Sequence, residues 1–306
     1  MYRKKSIMLC AWMAIMIALT SLTPLGALCA PAKPKPGNLT INLDSYPVVD
    51  GSTATLPLSY ALMSKLTGIS DEQAMQRIRH SKTTQSFYSM VSGSAQLLLV
   101  YEPSQEALDY AADRGVKLEF TPIGLDALVF LINETNSVDS LSYQQLLGIY
   151  TGEITNWNQV GGADMPIVAY QRSDDSGSQV MMRGVFMKET PLAEAPTELK
   201  PAEMGGLIDE LAAYRDEANA IGYSVYYYVN NMYMQPGVKL LKIDGIAPDN
   251  ESIASGAYPY SQVFNAVIRA DAPAASAQRK IAHWLTTNEG RELIESAGYV
   301  AMPYLP

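Results

Sequence analysis

Three short runs of small hydroxyl residues and glycine are the parts of this sequence with the most evident chemistry: Gly51-Ser52-Thr53-Ala54-Thr55, Ser81-Lys82-Thr83-Thr84 and Ser176-Gly177-Ser178. That chemistry is the binding of an oxyanion. The first and third runs follow strand-like segments and precede helix-like ones. A helix N-terminus there presents unpaired N–H groups and the positive end of its dipole, and Ser and Thr add donors on turning hydroxyls. Arg172, four residues before Ser176, adds a guanidinium able to grip two oxygens at once. Each run alone reads more readily as an ordinary helix cap. The three together, with Arg172, favour an anion site.

The elements that must position these runs are legible as alternating apolar patterns. Leu39 to Val49 alternates loosely and reads as a strand entering the first run. Leu58, Ala61, Leu62 and Leu66 have helix spacing behind Pro57, a residue suited to a first turn. Helical patterns follow at 73–79 and 87–91. Ala95 to Tyr101 is a short apolar run expected to be a buried parallel strand. Helix 104–114 is closed by Gly115, and strands are expected at 116–122 and 125–133. Further on come helix 141–150, strand 167–172 ending at Arg172, and a helix after Ser178 with Val180, Met181, Val185 and Phe186 on its apolar face. Strands 220–224, 238–243 and 263–268 and a closing helix 275–297 complete the pattern. Such alternation implies an α/β protein with mixed, mainly parallel sheets flanked by helices.

Composition narrows the partners. Arg3, Lys4 and Lys5 precede the apolar segment Ile7–Leu19, and small residues follow up to Ala30. Residues 1–30 therefore read as an export signal, and the apolar core is short for an uncleaved anchor, which needs about 20 residues. Cleavage is expected after Cys29 or Ala30, and Cys29 is the candidate for lipid attachment to a membrane. Residues 31–38, rich in Pro and Lys, read as an extended tether. Cys10 and Cys29 are the two cysteines of the chain, so the folded part has no disulfide. Three of the 22 basic side chains lie in the leader, leaving 19 against 31 acidic ones. That balance disfavours nucleic acid or an anionic membrane as a partner, and leaves a small anion open.

Enzyme signatures are scarce. The sequence has no GxSxG, HExxH, Walker A or GxGxxG pattern, and its two histidines are His80 and His283. A histidine-based metal site needs more ligands than these, and neither metal nor cofactor is expected. His283 precedes Trp284, where packing is the simpler role. Tyr223, Tyr226, Tyr227, Tyr228 and Tyr233 offer a sugar-stacking platform, with ordinary packing again the simpler reading.

At this point the chain resembles a known family, the phosphate-binding component of phosphate ABC transporters in the form common in Gram-positive bacteria. The resemblance runs from about Tyr46 to Pro303. It is carried by Asp50-Gly-Ser-Thr-Ala-Thr-Leu-Pro57, Gly152-Glu-Ile-Thr-Asn-Trp-Asn-Gln-Val-Gly-Gly162, Arg172-Ser-Asp-Asp-Ser-Gly-Ser178, Ala220-Ile-Gly-Tyr-Ser224 and the closing Gly290…Gly298-Tyr-Val. It implies a two-lobed type II periplasmic-binding-protein clamp with the ligand between the lobes. By position it implies anion contacts from Thr55 and the Leu56 N–H with Thr53 beside them, from Thr83 and Thr84, and from Arg172, Ser176, Gly177 and Ser178. Glu102 falls where many members carry an Asp or a Ser-Arg-Pro segment, and in the Asp-bearing members that carboxylate accepts the proton of the bound phosphate. An acceptor inside an anion site would reject sulfate, which has no proton to give. Glu102 reads equally well as a surface residue or helix cap.

The expectation is therefore a non-enzymatic, extracytoplasmic solute-binding protein, periplasmic or on the cell surface and acting as a monomer. It would deliver phosphate or a similar oxyanion to a membrane ABC permease. Its lobes would be 39–128 plus 264–306 and 129–263, joined by two crossing strands. The rival readings are a receptor for molybdate, tungstate or a small organic acid, a ligandless surface sensor of the same fold, and a phosphatase or hydrolase using one of the clustered hydroxyls.

Overall fold

β1 (Val49–Gly51) is short because little of the chain before it has a partner. The alternation from Leu39 predicts a longer strand, but Asn42 caps a single 3-10 turn, Leu43–Ser45, by accepting from the Asp44 N–H. The computed structural model describes residues 39–188, 190–201, 204–213 and 218–303. The expected export signal 1–30, the tether 31–38 and Cys29 lie outside the described residues.

After β1 come α1 (Leu56–Thr67), α2 (Asp71–Arg77), α3 (Thr83–Ser92), β2 (Leu97–Tyr101), α4 (Gln105–Asp113) and β3 (Leu118–Asn133). The chain continues through β4 (Ser140–Leu141), α5 (Tyr143–Thr151), β5 (Val168–Ala169), α6 (Gly177–Met181), α7 (Met204–Ala213) and β6 (Ala220–Val225). It ends with β7 (Val238–Leu240), β8 (Lys242–Ile243), α8 (Asn250–Ala254), β9 (Ser261–Arg269), α9 (Ala277–Trp284), α10 (Asn288–Ser296) and β10 (Val300–Ala301).

Ser and Thr side chains set many of these boundaries. Ser70 and Ser142 make reciprocal capping boxes with Gln73 and Gln145 at the starts of α2 and α5, each satisfying two otherwise orphaned N–H groups. The closing helix expected over 275–297 is two helices, because the Thr287 hydroxyl caps a new one at Gly290. The strand expected over 167–172 shrinks to β5, since Gln171 turns its N–H to Leu199 O instead of to a sheet neighbour.

The sheet is mixed and runs β1-β2-β9-β3-β6-β5, with β7 and β10 also on β3. The β1–β2, β5–β6 and β4–β8 pairs are parallel, and antiparallel pairing gathers on β3 and β9. The two strand patterns expected at 116–122 and 125–133 are one strand, β3, which changes partners along its length. From Leu118 to Ala127 it pairs with β9, and from Leu128 onward with β6 and β7. β2 is buried along its whole length, as its unbroken apolar run requires.

The described residues belong to one compact unit, Pro36–Pro306. One apolar cluster reaches from Leu97 and Tyr101 through Leu128–Ile132 to Trp157 and Tyr223. The Thr155-Asn156-Trp157 motif builds a corner of that core. Asn156 caps the turn Trp157–Val160, and the buried Trp157 indole donates to Asn219 O at 2.8 Å.

Candidate functional site

β1 and β2 pair in parallel with Gly51 opposite Leu99. A methyl group on Gly51 would stand 1.9 Å from Leu99 O, and its φ of +158° lies where side chains are rarely found. Only glycine lets the chain turn off β1 here, so Gly51→Ala should lower the unfolding free energy by about 1–3 kcal/mol. Urea denaturation measures this; an unchanged midpoint would mean that β1 can move off β2.

The turn that follows is stapled from behind. Thr55 Oγ1 donates towards Leu99 O (2.5 Å) and Ser52 O (2.9 Å). His80 Nδ1 meets Ser52 O at 2.7 Å and its Nε2 meets Ser59 Oγ at 3.0 Å. Burial pulls the His80 pKa down, against the Ser52 carbonyl and Asp50, which pull it up. Facing a carbonyl, the Nδ1 of the neutral ring must carry the proton. Asp50 then joins the first run to the second: its carboxylate accepts from Gly51 N (2.7 Å), Ser81 N (2.7 Å) and Ser81 Oγ (2.6 Å).

The second run carries backbone strain. Lys82, immediately before α3, has φ 76° and ψ 167°, a region almost reserved for glycine and costing about 1–3 kcal/mol. The third run is held more gently. Ser176 Oγ accepts from the Gln179 N–H at 3.2 Å at the start of α6. Arg172 is 2% exposed. Its N–H lies 3.2 Å from both Gln179 Oε1 and Tyr223 Oη, and its Nη1 donates to Pro201 O at 2.7 Å.

These pieces meet around one cavity of about 10 Å³, lined by Ser52, Thr53, Ala54, Lys82, Thr83, Tyr101, Arg172, Ser176 and Gly177, room for about one water. Ser52 and Thr83 join hydroxyls at 2.8 Å. A methyl group on Gly177 would lie 2.6 Å from Thr83 Oγ1 and 3.0 Å from the Tyr101 ring. The second and third runs also touch directly, through Thr84 N to Asp175 O at 3.4 Å and Lys82 Nζ to Asp175 Oδ2 at 3.4 Å. Burial works to raise the Asp175 pKa, but the Ser173 hydroxyl and Lys82 outweigh it and hold the carboxyl low.

Below the cavity, Tyr101 donates to Asp126 Oδ2 at 2.5 Å, while Asp126 Oδ1 accepts from Ala127 N (2.7 Å) and Tyr227 N (3.0 Å). Burial raises the Asp126 pKa to about 6, although these bonds pull the other way. Tyr227 stacks on Tyr299 at 3.5 Å, and Tyr299 Oη donates to Ala54 O at 2.7 Å, back at the cavity wall. The tyrosines of this segment are therefore packing residues, with no exposed platform among Tyr223, Tyr226, Tyr227 and Tyr228.

Of the residues expected from sequence, Thr53, Thr83, Arg172, Ser176 and Gly177 are brought together in the lining. Thr55, Leu56, Thr84 and Ser178 are not part of the lining, and Thr55 has its hydroxyl proton committed to backbone carbonyls. Glu102 lies outside: it is exposed and accepts from Asn265 Nδ2 at 3.0 Å. Ser52, Ala54 and Lys82, members of the first two runs, also line the cavity, and so does Tyr101, which belongs to none of the runs. Strand alternation is the signal that bears on Tyr101, since residues 101 and 102 face opposite sides. The chemistry of the assembled cavity is that of an anion site: two cations, four hydroxyls and an apolar ring.

Comparison with known proteins agrees with this architecture. The model of the PBP superfamily domain matches residues 47–289. The phosphate-binding protein PstS of Bacillus subtilis is 27% identical over 213 residues, 69% of this chain. That of Borreliella burgdorferi is 23% identical over 186 residues, 60% of this chain. The chain spans 66% and 65% of those relatives' own lengths. Among solved structures, an ABC-type phosphate transport receptor from Vibrio cholerae superposes with a TM-score of 0.63 at 22% identity, covering 83% of this chain and 99% of its own.

Proposed function

This chain belongs to the PBP superfamily, and from that premise we propose that it is an extracytoplasmic solute-binding protein that captures inorganic phosphate for a membrane ABC permease. The observation that carries the reading is buried Arg172 facing hydroxyl-rich turns across one cavity. Its relatives in Bacillus subtilis and Borreliella burgdorferi are phosphate-binding proteins, which points the same way. It is a binding protein and not an enzyme.

In this reading the Arg172 guanidinium grips the anion, and Thr53, Thr83, Ser176 and the Gly177 N–H donate to its oxygens. Ser52 and Lys82 join them. Thr55, Leu56, Thr84 and Ser178 hold the donors in place. The lobes would be 39–128 plus 264–306 and 129–263. The change of partners along β3 between Ala127 and Leu128 supports that division, with β3 and β9 as the hinge. The halves would part to admit the ligand and close on it, as domain-closure proteins do. The chain would act as a monomer, exported by residues 1–30 to the periplasm or cell surface and tethered through Cys29.

A thermal-shift panel tests this. Phosphate at about 100-fold its dissociation constant should add about 2.7 kcal/mol of stability. A larger response to molybdate, tungstate or a small carboxylate would reassign the ligand. No response to any anion would favour a ligandless sensor.

A further inference from the structure

Deepening the reading above, and resting on it, we propose that Tyr227 is a closure bolt, a second-lobe side chain seated in the first lobe when the lobes meet and withdrawn when they part. It would be a positioning residue that sets how long phosphate stays bound. By the division proposed above, Tyr227 lies in 129–263, and its N–H, hydroxyl and ring each meet a residue of the other lobe. The N–H donates to Asp126 Oδ1 at 3.0 Å, and the hydroxyl donates to Ala297 O at 2.8 Å. The ring lies flat on Tyr299, with 3.5 Å between centroids and 7° between planes.

The seat allows an approach this close. Ala297 caps the end of α10, where the last carbonyls lack a helical N–H, and the Tyr227 hydroxyl supplies a donor. Gly298 follows at φ +89°, and a methyl group there would stand 2.7 Å from Asn231 Nδ2 and 3.5 Å from the Tyr227 ring. Glycine thus lets the π-helical turn Tyr228–Met232 press against the end of α10. Such turns are rare and gather at functional sites.

The seat is also joined to the anion cavity. Asp126 holds Tyr101 by its other carboxylate oxygen, and Tyr299 donates to Ala54 O. Tyr101 and Ala54 both line the cavity, so on each path one residue stands between Tyr227 and the wall. A flat stack and two directional hydrogen bonds tolerate little displacement. Rotation of one lobe against the other must therefore break some of them. Contacts made only in the closed form raise the closed population, and apparent affinity follows that population.

Amide exchange followed by NMR and stopped-flow release of phosphate, both on the whole protein, test the bolt. Phosphate should slow exchange of the Tyr227 N–H by about tenfold or more, because the ligand populates the seated form. Tyr227→Leu, which removes stack and hydroxyl, should weaken phosphate by about tenfold, nearly all of it as faster release. Tyr227→Phe keeps the stack and should release phosphate only about threefold faster. If Tyr227→Leu does not fold, the Phe variant decides alone. Phosphate binding with equal protection of the Tyr227 N–H in both states overturns the inference and leaves the phosphate receptor standing. So does release from Tyr227→Phe as slow as from the wild-type protein. Tighter binding by either variant overturns it too, since the contacts would then belong to the open form. No binding of phosphate by the wild-type protein overturns both readings together.

Discussion

Arg172→Ala is expected to weaken phosphate binding by about 2–5 kcal/mol, the usual consequence of truncating one partner of a buried, hydrogen-bonded charge pair. The side chain is almost wholly buried, and Pro201 O holds its Nη1 in place, so little entropy remains to be lost when an anion arrives. Without it, the ligand would keep the hydroxyls and Lys82 but lose the planar fork that fits two oxygens at once. Arg172→Lys should recover part of the loss, since it restores charge without the fork. Calorimetry gives the affinities, and a thermal melt of each variant separates lost binding from lost folding. Near-wild-type affinity in a folded Arg172→Ala protein would remove Arg172 from the binding set.

The second large effect concerns stability and pH. Burial holds the Asp126 pKa at about 6, above the roughly 3.9 of an exposed aspartate. Below the lower value the group is protonated whether the chain is folded or not, and it favours neither state. As pH rises towards 6, the unfolded chain releases this proton while the native one keeps it. The native state therefore loses stability through that window, by about 3 kcal/mol for a shift of about two pKa units, and the loss then levels off. Asp126→Asn removes the titration while retaining an oxygen that can accept from Tyr101. Measured by urea unfolding at several pH values, wild-type stability relative to Asp126→Asn should fall from about pH 4 to 6. Parallel curves would show that Asp126 ionises in the fold as readily as in the unfolded chain.

The layout of elements was largely open to reading because it rests on local patterns. The apolar run ending at Tyr101 reads best as a buried strand, and helix-spaced apolar repeats marked α2 and α5. What failed depended on partners distant in sequence. Leu39–Val49 alternates as a strand does, yet alternation cannot say whether a neighbouring edge exists. The end of α9 was hidden because the apolar repeat continues past Thr287 while its hydroxyl caps a new helix.

The site divides along the same line. Arg172 and Ser176 follow from their spacing. Lys82 was hidden because its role depends on a backbone conformation that its residue type disfavours. Tyr101 and Glu102 are neighbours on alternating faces, and only the register of β2 between β1 and β9 decides which one looks into the cavity. Asp126 did leave a trace, a lone carboxylate in the apolar stretch Leu125–Ile132, but its partners Tyr101 and Tyr227 lie 25 and 101 residues away.

The central sheet also bears on how such a chain is made. β2 finds its antiparallel partner in β9, with Leu98 opposite Val267, and β3 receives β10 through Leu125 and Val300. A ribosome that has delivered β1, β2 and β3 has therefore still to deliver the strand that sits between the last two. Pairings so distant slow folding, so the nascent protein stays open while most of it is being synthesised. Were the chain exported as proposed above, that delay would keep it passable through a translocation pore until the last strands had emerged.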